Sequence, residues 1–351
     1  MLAAFYALEN WTINEYTLTP GDATPVAPLV KITGVATNAH PDTIMLADVY
    51  LEQLTALTWI TSHFQSHVQY VPGDELVEPG EPTSELDAQG YLEMRDAKQA
   101  AEVEAFRTLG WRVPASATGA IVNGVVDPSP AWTASLHVGD EVVGVDGTAV
   151  DSSCQLVSAL HDLAPGTVVH LRVQRVHISS SGTLTWRAVS NVDVTTAALP
   201  SDVGGAGCLG ITGRDRSWIG VSLEDGLDYG LPATVSIDTA DIGGPSAGLA
   251  MTLTLINELS AGSLTGHQVV AATGTIDTSG DVGQVGGVAE KTVAVQRAGA
   301  RYFLVPRAEA GVARAAASPG LTVLGVNTLA QALSDLHSLG GATLRRLRAP
   351  S

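Results

Sequence analysis

One apolar segment constrains this chain more than any other feature. Residues 246–259 follow a Gly-Gly-Pro turn and carry apolar side chains on nearly every helical face, including Leu249, Met251 and Leu253. A helix of this kind is buried on all sides. It needs covering layers, and the chain around it alternates strand and helix patterns. The sequence therefore predicts a multidomain α+β protein with this helix inside its C-terminal domain.

The local patterns predict most elements of the chain. Residues 1–40 indicate strands and turns, and apolar residues near helical spacing predict a helix over 44–64. Ser84 predicts the cap of a second helix that ends near Leu109. In the C-terminal region, the predicted strands are 233–237, 267–276, 302–305 and 321–326, and the predicted helices are 246–259, 288–298 and 329–339.

Composition excludes several classes of function. The 351 residues carry a net charge of −18, so no basic stripe is present to bind nucleic acid. His63 and His67 lie four residues apart without an intervening glutamate, which favours packed or surface histidines over a metal site. The two cysteines, Cys154 and Cys208, show no metal spacing and no disulfide framework, and we expect two buried free thiols. No cofactor or metal is predicted.

The turn before the apolar helix has the chemistry of a nucleophile site. It reads Asp-Ile-Gly-Gly-Pro-Ser-Ala-Gly, and Pro245 suits the first helical position. Gly244 lets the backbone approach a ligand, while Ser246 and Ala247 lie where unpaired N–H groups can stabilise a developing oxyanion. These four residues are the first candidate site.

The same letters also fit the nucleophile elbow of an α/β-hydrolase, which is an alternative reading as an esterase. That reading needs an acid and then a histidine later in the chain, and Asp277, Asp281 or Asp335 followed by His337 are the candidates. Asp335 and His337 face different ways on one helix, and only 105 residues follow Ser246. The pattern therefore favours a different base.

A rare lysine supplies that base. The chain has three lysines, Lys31, Lys98 and Lys291, beside fifteen arginines. Lys291 lies in an apolar helical start, where burial would lower the pKa of its amine and allow it to deprotonate a serine. A surface lysine paired with Glu290 is the alternative. Because Glu290 precedes it, Lys291 is not part of a Walker A motif, and the chain shows no other candidate for one.

Two further runs carry family resemblances. The run from Gly119 to Gly147, with Pro-Ala, Leu, Gly-Asp and Asp-Gly in order, resembles a PDZ domain of the kind attached to bacterial proteases. The resemblance implies a groove that accepts a C-terminal peptide as an added strand. Its carboxylate-binding loop is expected between Trp111 and Thr118. A PDZ fold that serves only as a spacer is the alternative.

The C-terminal region resembles the proteolytic domain of the Lon family. Gly-Pro-Ser-Ala-Gly opens a helix, and the motif from Thr273 to Lys291 follows 27 residues after the serine. The resemblance implies that Ser246 is the nucleophile, that Lys291 is the general base and that Thr273 can hydrogen-bond the lysine. Many Lon enzymes carry Lys-Asp where this chain has Ile242 and Gly243, so the polar surroundings of the dyad differ, and Asp241 is a candidate to compensate.

The combined resemblance is to PDZ-containing Lon-like proteases of bacteria, which are often anchored by one N-terminal membrane helix. It implies an ATP-independent serine endopeptidase that acts on unfolded proteins or peptides, assembled as a homo-oligomer, with six subunits by resemblance. We expect a missing anchor and an extracytoplasmic catalytic part; a soluble protein is the alternative. A non-enzymatic PDZ scaffold is the second functional hypothesis. The predicted regions are a helical/β N-terminal region (1–109), a PDZ-like domain (110–176), a linker (177–205), a Lon-type domain (206–342) and a tail (343–351).

Overall fold

A computed structural model gives the fold, and it describes residues 8–76, 86–161, 163–178, 184–200, 208, 217–240 and 242–344. The predicted cap Ser84 and Asp241 lie outside these residues. The strands are β1 (Thr12–Pro25), β2 (Val30–Thr33), β3 (Thr43–Thr55), β4 (Gln69–Pro72), β5 (Ala115–Val125), β6 (Glu141–Val145), β7 (Thr148–Ala149), β8 (Val168–Ile178), β9 (Leu184–Thr195), β10 (Ala197–Ala198), β11 (Ser217–Trp218), β12 (Val221–Tyr229), β13 (Thr234–Ile237), β14 (Val269–Ala272), β15 (Thr275–Ile276), β16 (Val282–Gly283), β17 (Tyr302–Pro306) and β18 (Thr322–Val326).

Helices cover and connect these strands. They are α1 (Ala56–Ser62), α2 (Leu86–Thr108), α3 (Pro130–Thr133), α4 (Ser153–His161), α5 (Gly248–Leu259), α6 (Val288–Arg297), α7 (Ala310–Ala316) and α8 (Leu329–Ser338). The mixture confirms the predicted α+β class. Among the described helices, none combines the length and the apolarity that crossing a bilayer requires.

The chain forms two compact units. The first contains residues 1–76, 93–113 and 231–351, and the second contains 77–92 and 114–230. This division differs from the predicted domain boundaries. The N-terminal strands belong to the same unit as the C-terminal region, and the expected linker, 177–205, contributes β9 and β10 to the second unit.

A six-stranded sheet organises the first unit, in the order β18-β17-β14-β3-β1-β4. β3, β14, β17 and β18 run parallel to their neighbours in this series, while β1 pairs antiparallel with β3 and β4. The apolar helix α5 is buried along its length apart from Glu258, as the sequence predicted. Each fully buried Leu or Ile in it stabilises the fold by about 2 kcal/mol.

The prediction of a helix over residues 44–64 was wrong for most of its length. Residues 43–55 form β3, and only Ala56–Ser62 is helical. β3 lies between β14 and β1, and four consecutive side chains from Ile44 to Ala47 are buried. A strand covered on both faces has a continuous apolar run, which periodicity alone cannot distinguish from a buried helix.

The second unit is an antiparallel sheet in the order β12-β5-β6-β8-β9, with β7 paired to β6. Its core contains Val122, Leu136, Leu156 and Leu171. The expectation of free thiols was wrong, because Cys154 and Cys208 form a disulfide across a sequence separation of 54 residues. That separation gives no sequence signal, since any two cysteines can pair when the fold brings them together.

Candidate active site

The turn that carries Ser246 is set by its glycine and proline. Gly244 has a φ of 83°, a conformation that glycine adopts without strain. Pro245, Ser246 and Ala247 form a single 3-10 turn, and α5 begins only at Gly248. The serine therefore lies one turn before the α-helix rather than at its first position. Its side chain is half-buried, whereas Ala247 is fully buried.

The backbone of Ser246 is fixed by the segment between β14 and β15. The N–H of Gly274 donates to the Ser246 carbonyl oxygen at 2.9 Å, and the Thr273 hydroxyl donates to the same oxygen at 3.2 Å. The N–H of Leu249 donates back to the Gly274 carbonyl at 3.1 Å. Thr273 thus holds the carbonyl of Ser246. The hydrogen bond to the lysine that the family resemblance implied stays a prediction.

Lys291 reaches the serine from the first turns of α6. Its Nζ lies 2.8 Å from the Oγ of Ser246, within hydrogen-bond distance. Only 2% of the lysine is exposed, so the alternative of a surface lysine is wrong. The sequence separates the two residues by 45 positions, and α5 and α6 bring them together against the central sheet.

Burial dominates the electrostatics of Lys291. Desolvation disfavours the ammonium form and lowers the pKa of Lys291 from 10.5 to about 8, although the carboxylates of Glu309 and Asp48 act in the opposite direction. Glu309 accepts a hydrogen bond from the N–H of Val285 at 3.0 Å. Burial raises the pKa of Glu309 as well. A lysine with a pKa near 8 has a substantial neutral fraction close to neutral pH.

The dyad opens into a cavity of about 420 Å³. Ser246, Ala247 and Lys291 line it together with the preceding loop residues Ile242 and Gly243. The remaining wall comes from β1 and β3, which sequence reasoning had placed in a region without recognised chemistry. The polar residues of that wall, none of which we foresaw, are Asp22, Thr24, Asp48 and Tyr50. Their only sequence signal was a Gly-Asp pair inside a strand-forming segment.

The residues of the alternative hydrolase triad lie elsewhere. His337 pairs through Nδ1 with the Gly341 carbonyl at 2.9 Å, and Asp277 accepts hydrogen bonds from Ser279 and from the N–H of Asp281. None of these side chains lines the cavity of Ser246. The base within hydrogen-bond distance of the serine is the lysine.

His63 contacts the backbone of the helix that precedes it. Nδ1 of His63 lies 2.7 Å from the Trp59 carbonyl, within the same helical turn. The described part of the chain contains no group of three or more His, Cys, Asp or Glu side chains that could hold a metal ion.

In the second unit, a strand takes up part of the segment between Trp111 and Thr118. Residues 115–118, which were to form the carboxylate-binding loop, belong to β5 and pair with β12. β12 is a terminal strand in the described sheet order. Asp225 of β12 accepts hydrogen bonds from the N–H and hydroxyl of Ser153, at the start of α4. An added strand requires a sheet edge, and β12 and β9 are the two terminal strands of the described sheet order.

Comparison with known families identifies both regions. Residues 107–185 match the model of the PDZ domain. Residues 239–318 match the C-terminal proteolytic domain of Lon protease (S16), and this range includes Ser246, Thr273 and Lys291.

Individual relatives agree over a short range. The Lon protease of Roseiflexus castenholzii is 48% identical over 67 residues, which are 19% of this chain and 8% of the relative. The Lon protease of Ureaplasma parvum is 41% identical over 63 residues, again 8% of its length. The chain therefore spans only a small part of the relatives that it matches. Among solved structures, the PDZ domain of an SdrC-like protein from Listeria monocytogenes is 23% identical and covers 30% of this chain and 87% of its own, with a TM-score of 0.22.

Proposed function

We propose that this chain, which combines a PDZ domain with a Lon-type proteolytic domain, is an ATP-independent serine endopeptidase with a Ser246–Lys291 dyad. One observation carries the proposal. A lysine that is 2% exposed holds its amine 2.8 Å from the hydroxyl oxygen of a serine, inside a cavity. Burying an ammonium costs free energy. A lysine that has lost its proton avoids this cost and can act as the base for a nucleophile.

The reaction follows from this geometry. Neutral Lys291 takes the Oγ proton of Ser246 as the oxygen attacks the peptide carbonyl, and a tetrahedral intermediate forms. The ammonium then gives that proton to the departing amine, which leaves an acyl group on Ser246 and a neutral lysine. A water molecule repeats the sequence with the same base, and this releases the acid product.

The turn before α5 would stabilise the oxyanion. The N–H groups of Ser246 and Ala247 are among the first of a helical segment, which lack partners within the helix. They lie next to Ser246 at the N-terminal end of the helical segment, and the backbone dipoles favour negative charge at that end. We assign these two groups to the oxyanion hole.

Its substrates would be unfolded segments or peptides. A C-terminal peptide would add to the edge of β12 beside α4. We further propose a homo-oligomer, hexameric by resemblance, and an extracytoplasmic catalytic part held by an N-terminal anchor. The Cys154–Cys208 disulfide supports an oxidising compartment.

The test is hydrolysis of a reduced, unfolded protein without ATP. Wild type should generate new peptide termini. The rate of hydrolysis should fall about 100-fold or more in Ser246→Ala and in Lys291→Ala. Ser236 and Lys31 form a matched control, because they are a Ser–Lys pair facing each other across β13 and β2 on the exposed surface of the same unit. Ser236→Ala and Lys31→Ala should retain the wild-type rate.

Other outcomes favour the other readings. Tail-peptide binding without hydrolysis in any variant would favour the scaffold. Hydrolysis that survives Lys291→Ala but not Ser246→Ala would favour an esterase-type base elsewhere. A rate that requires ATP would contradict independence from nucleotide.

A further inference from the structure

Two carboxylates in the catalytic cavity take no part in the proton transfers of the dyad mechanism, although Asp48 raises the pKa of Lys291. Asp22 and Asp48 line the same cavity of about 420 Å³ as Ser246 and Lys291. They come from the paired strands β1 and β3, far from the nucleophile in sequence. Proton transfer between a serine and a lysine does not require these two carboxylates in the substrate cavity.

Asp48 is held in place by an irregularity of the backbone. The register between β1 and β3 shifts between Pro20 and Ala23, which is the signature of a bulge. The N–H of Asp22 donates to Asp48 Oδ1 at 2.5 Å. A Cβ at Gly21 would lie 2.0 Å from that same oxygen, so a larger residue at this position would collide with the carboxylate. Bulges of this kind redirect side chains beside functional sites.

Asp22 is held by its side chain. The hydroxyl of Tyr50 donates to Asp22 Oδ2 at 2.8 Å, and the aspartate itself is exposed. This bond orients the carboxylate through one of its two oxygens. The bulge and the tyrosine thus place two carboxylates on one wall of the cavity.

The other walls suit a long cationic side chain. Leu46, Val49 and Ile242 supply apolar surface next to the two carboxylates. Lysine and arginine bury an aliphatic stem against apolar surface and keep a charged end at a polar group. Charge-assisted hydrogen bonds to a carboxylate are roughly twice as strong as neutral ones, and arginine can engage a carboxylate through two of them.

We propose that Asp22 and Asp48 form a specificity subsite that selects substrates with a lysine or arginine side chain beside the scissile bond. The proposal rests on the proposed peptidase function and adds a substrate class to it. Asp22 is the exposed contact for the cation, and Asp48, fixed over Gly21, sets the negative field of the wall.

The experiment uses internally quenched peptides of one sequence, with lysine, arginine, norleucine or glutamate at each position flanking the scissile bond. Norleucine keeps the stem of lysine and removes its charge. Wild type should cleave the best lysine or arginine peptide with a kcat/KM about tenfold above the norleucine peptide, and the ratio should fall at high salt. Asp22→Asn and Asp48→Asn should bring the ratio toward one, mainly through KM. Asp74→Asn, an exposed control outside the cavity, should keep the wild-type ratio.

A charge reversal separates lost selectivity from lost folding. Asp22→Lys should favour the glutamate peptide over the lysine peptide, a gain that a misfolded variant cannot show. The subsite is overturned if wild type cleaves norleucine peptides as fast as lysine peptides, or if the preference persists in both Asn variants; the peptidase function then stands. Absence of cleavage of every peptide by wild type overturns the function itself.

Discussion

The pH dependence of catalysis is the most quantitative consequence of the buried lysine. With a pKa of about 8, Lys291 is about 10% neutral at pH 7. At its ordinary pKa of 10.5, the neutral fraction would be about 0.03%. Burial therefore increases the catalytically competent population about 300-fold at neutral pH. We expect kcat/KM to rise about tenfold per pH unit below pH 8 and to level off above it.

The assay is initial-rate hydrolysis of a quenched peptide between pH 6 and pH 10. The peptide should lack titratable groups in that range, so that the profile reports the free enzyme. The exposed Lys31 provides the matched control, and Lys31→Arg should leave the midpoint in place. Lys291→Arg should remove the activity across the range, because a guanidinium does not lose its proton.

Two results would refute this reasoning. A rate that is flat from pH 6 to pH 9 would mean that no group with a pKa near 8 controls the chemistry. A rate that still rises about tenfold per unit between pH 9 and pH 10 would mean that the lysine keeps a pKa near 10.5 and is hydrated in solution, not buried as the structure has it. Glu309→Gln should move the midpoint to lower pH, because the carboxylate raises the pKa of the lysine.

Three further predictions concern stability and positioning. Lys291→Met should raise the free energy of unfolding by about 2 kcal/mol at pH 7. The lowered pKa of Lys291 costs the folded state about 3 kcal/mol below pH 8, and this cost disappears as the pH rises toward 10.5, the pKa in the unfolded chain. Urea unfolding at pH 7 and pH 11 tests this difference. Thr273→Val should lower kcat/KM about tenfold by freeing the Ser246 carbonyl, whereas Thr254→Val, which removes a similar buried bond within α5, should cost only about 1 kcal/mol of stability and leave kcat/KM unchanged. Cys154→Ser should destabilise the second unit by roughly 2–4 kcal/mol, because its disulfide closes a loop across 54 residues. Calorimetry tests this, with reduced wild type for comparison. Unfolding transitions of the variant and of reduced wild type that coincide with the transition of the oxidised protein would contradict it.

Local patterns predicted the C-terminal elements well. The strand signals at 302–305 and 321–326 correspond to β17 and β18, and the predicted helix 329–339 corresponds to α8, which Thr328 caps. These elements have regular apolar periodicity and clear caps, so that neighbouring residues determine them. Ser246 and Lys291 were likewise identified from motifs, and the structure brings them within hydrogen-bond distance.

Non-local pairing accounts for what the sequence did not reveal. β3 pairs with β14 across more than 200 residues, and that pairing makes a strand from a segment with near-helical apolar spacing. The same pairing brings Asp48 to the nucleophile. A bulge at Gly21 and a disulfide between distant cysteines also depend on partners that no local window contains. The hydrogen bond from the Thr273 hydroxyl to the Ser246 carbonyl was not predicted for the same reason, because the turn geometry sets the position of that carbonyl.

Covalent capture of the acyl intermediate tests the central claim most directly. The enzyme is mixed with an activated peptidyl ester, quenched in acid during turnover and analysed by intact mass and peptide mapping. The dyad predicts an acyl group on Ser246 in wild type, none in Ser246→Ala, and acylation slower by about 100-fold or more in Lys291→Ala. Turnover without an acyl group on Ser246, or equal acylation in Lys291→Ala, would contradict it.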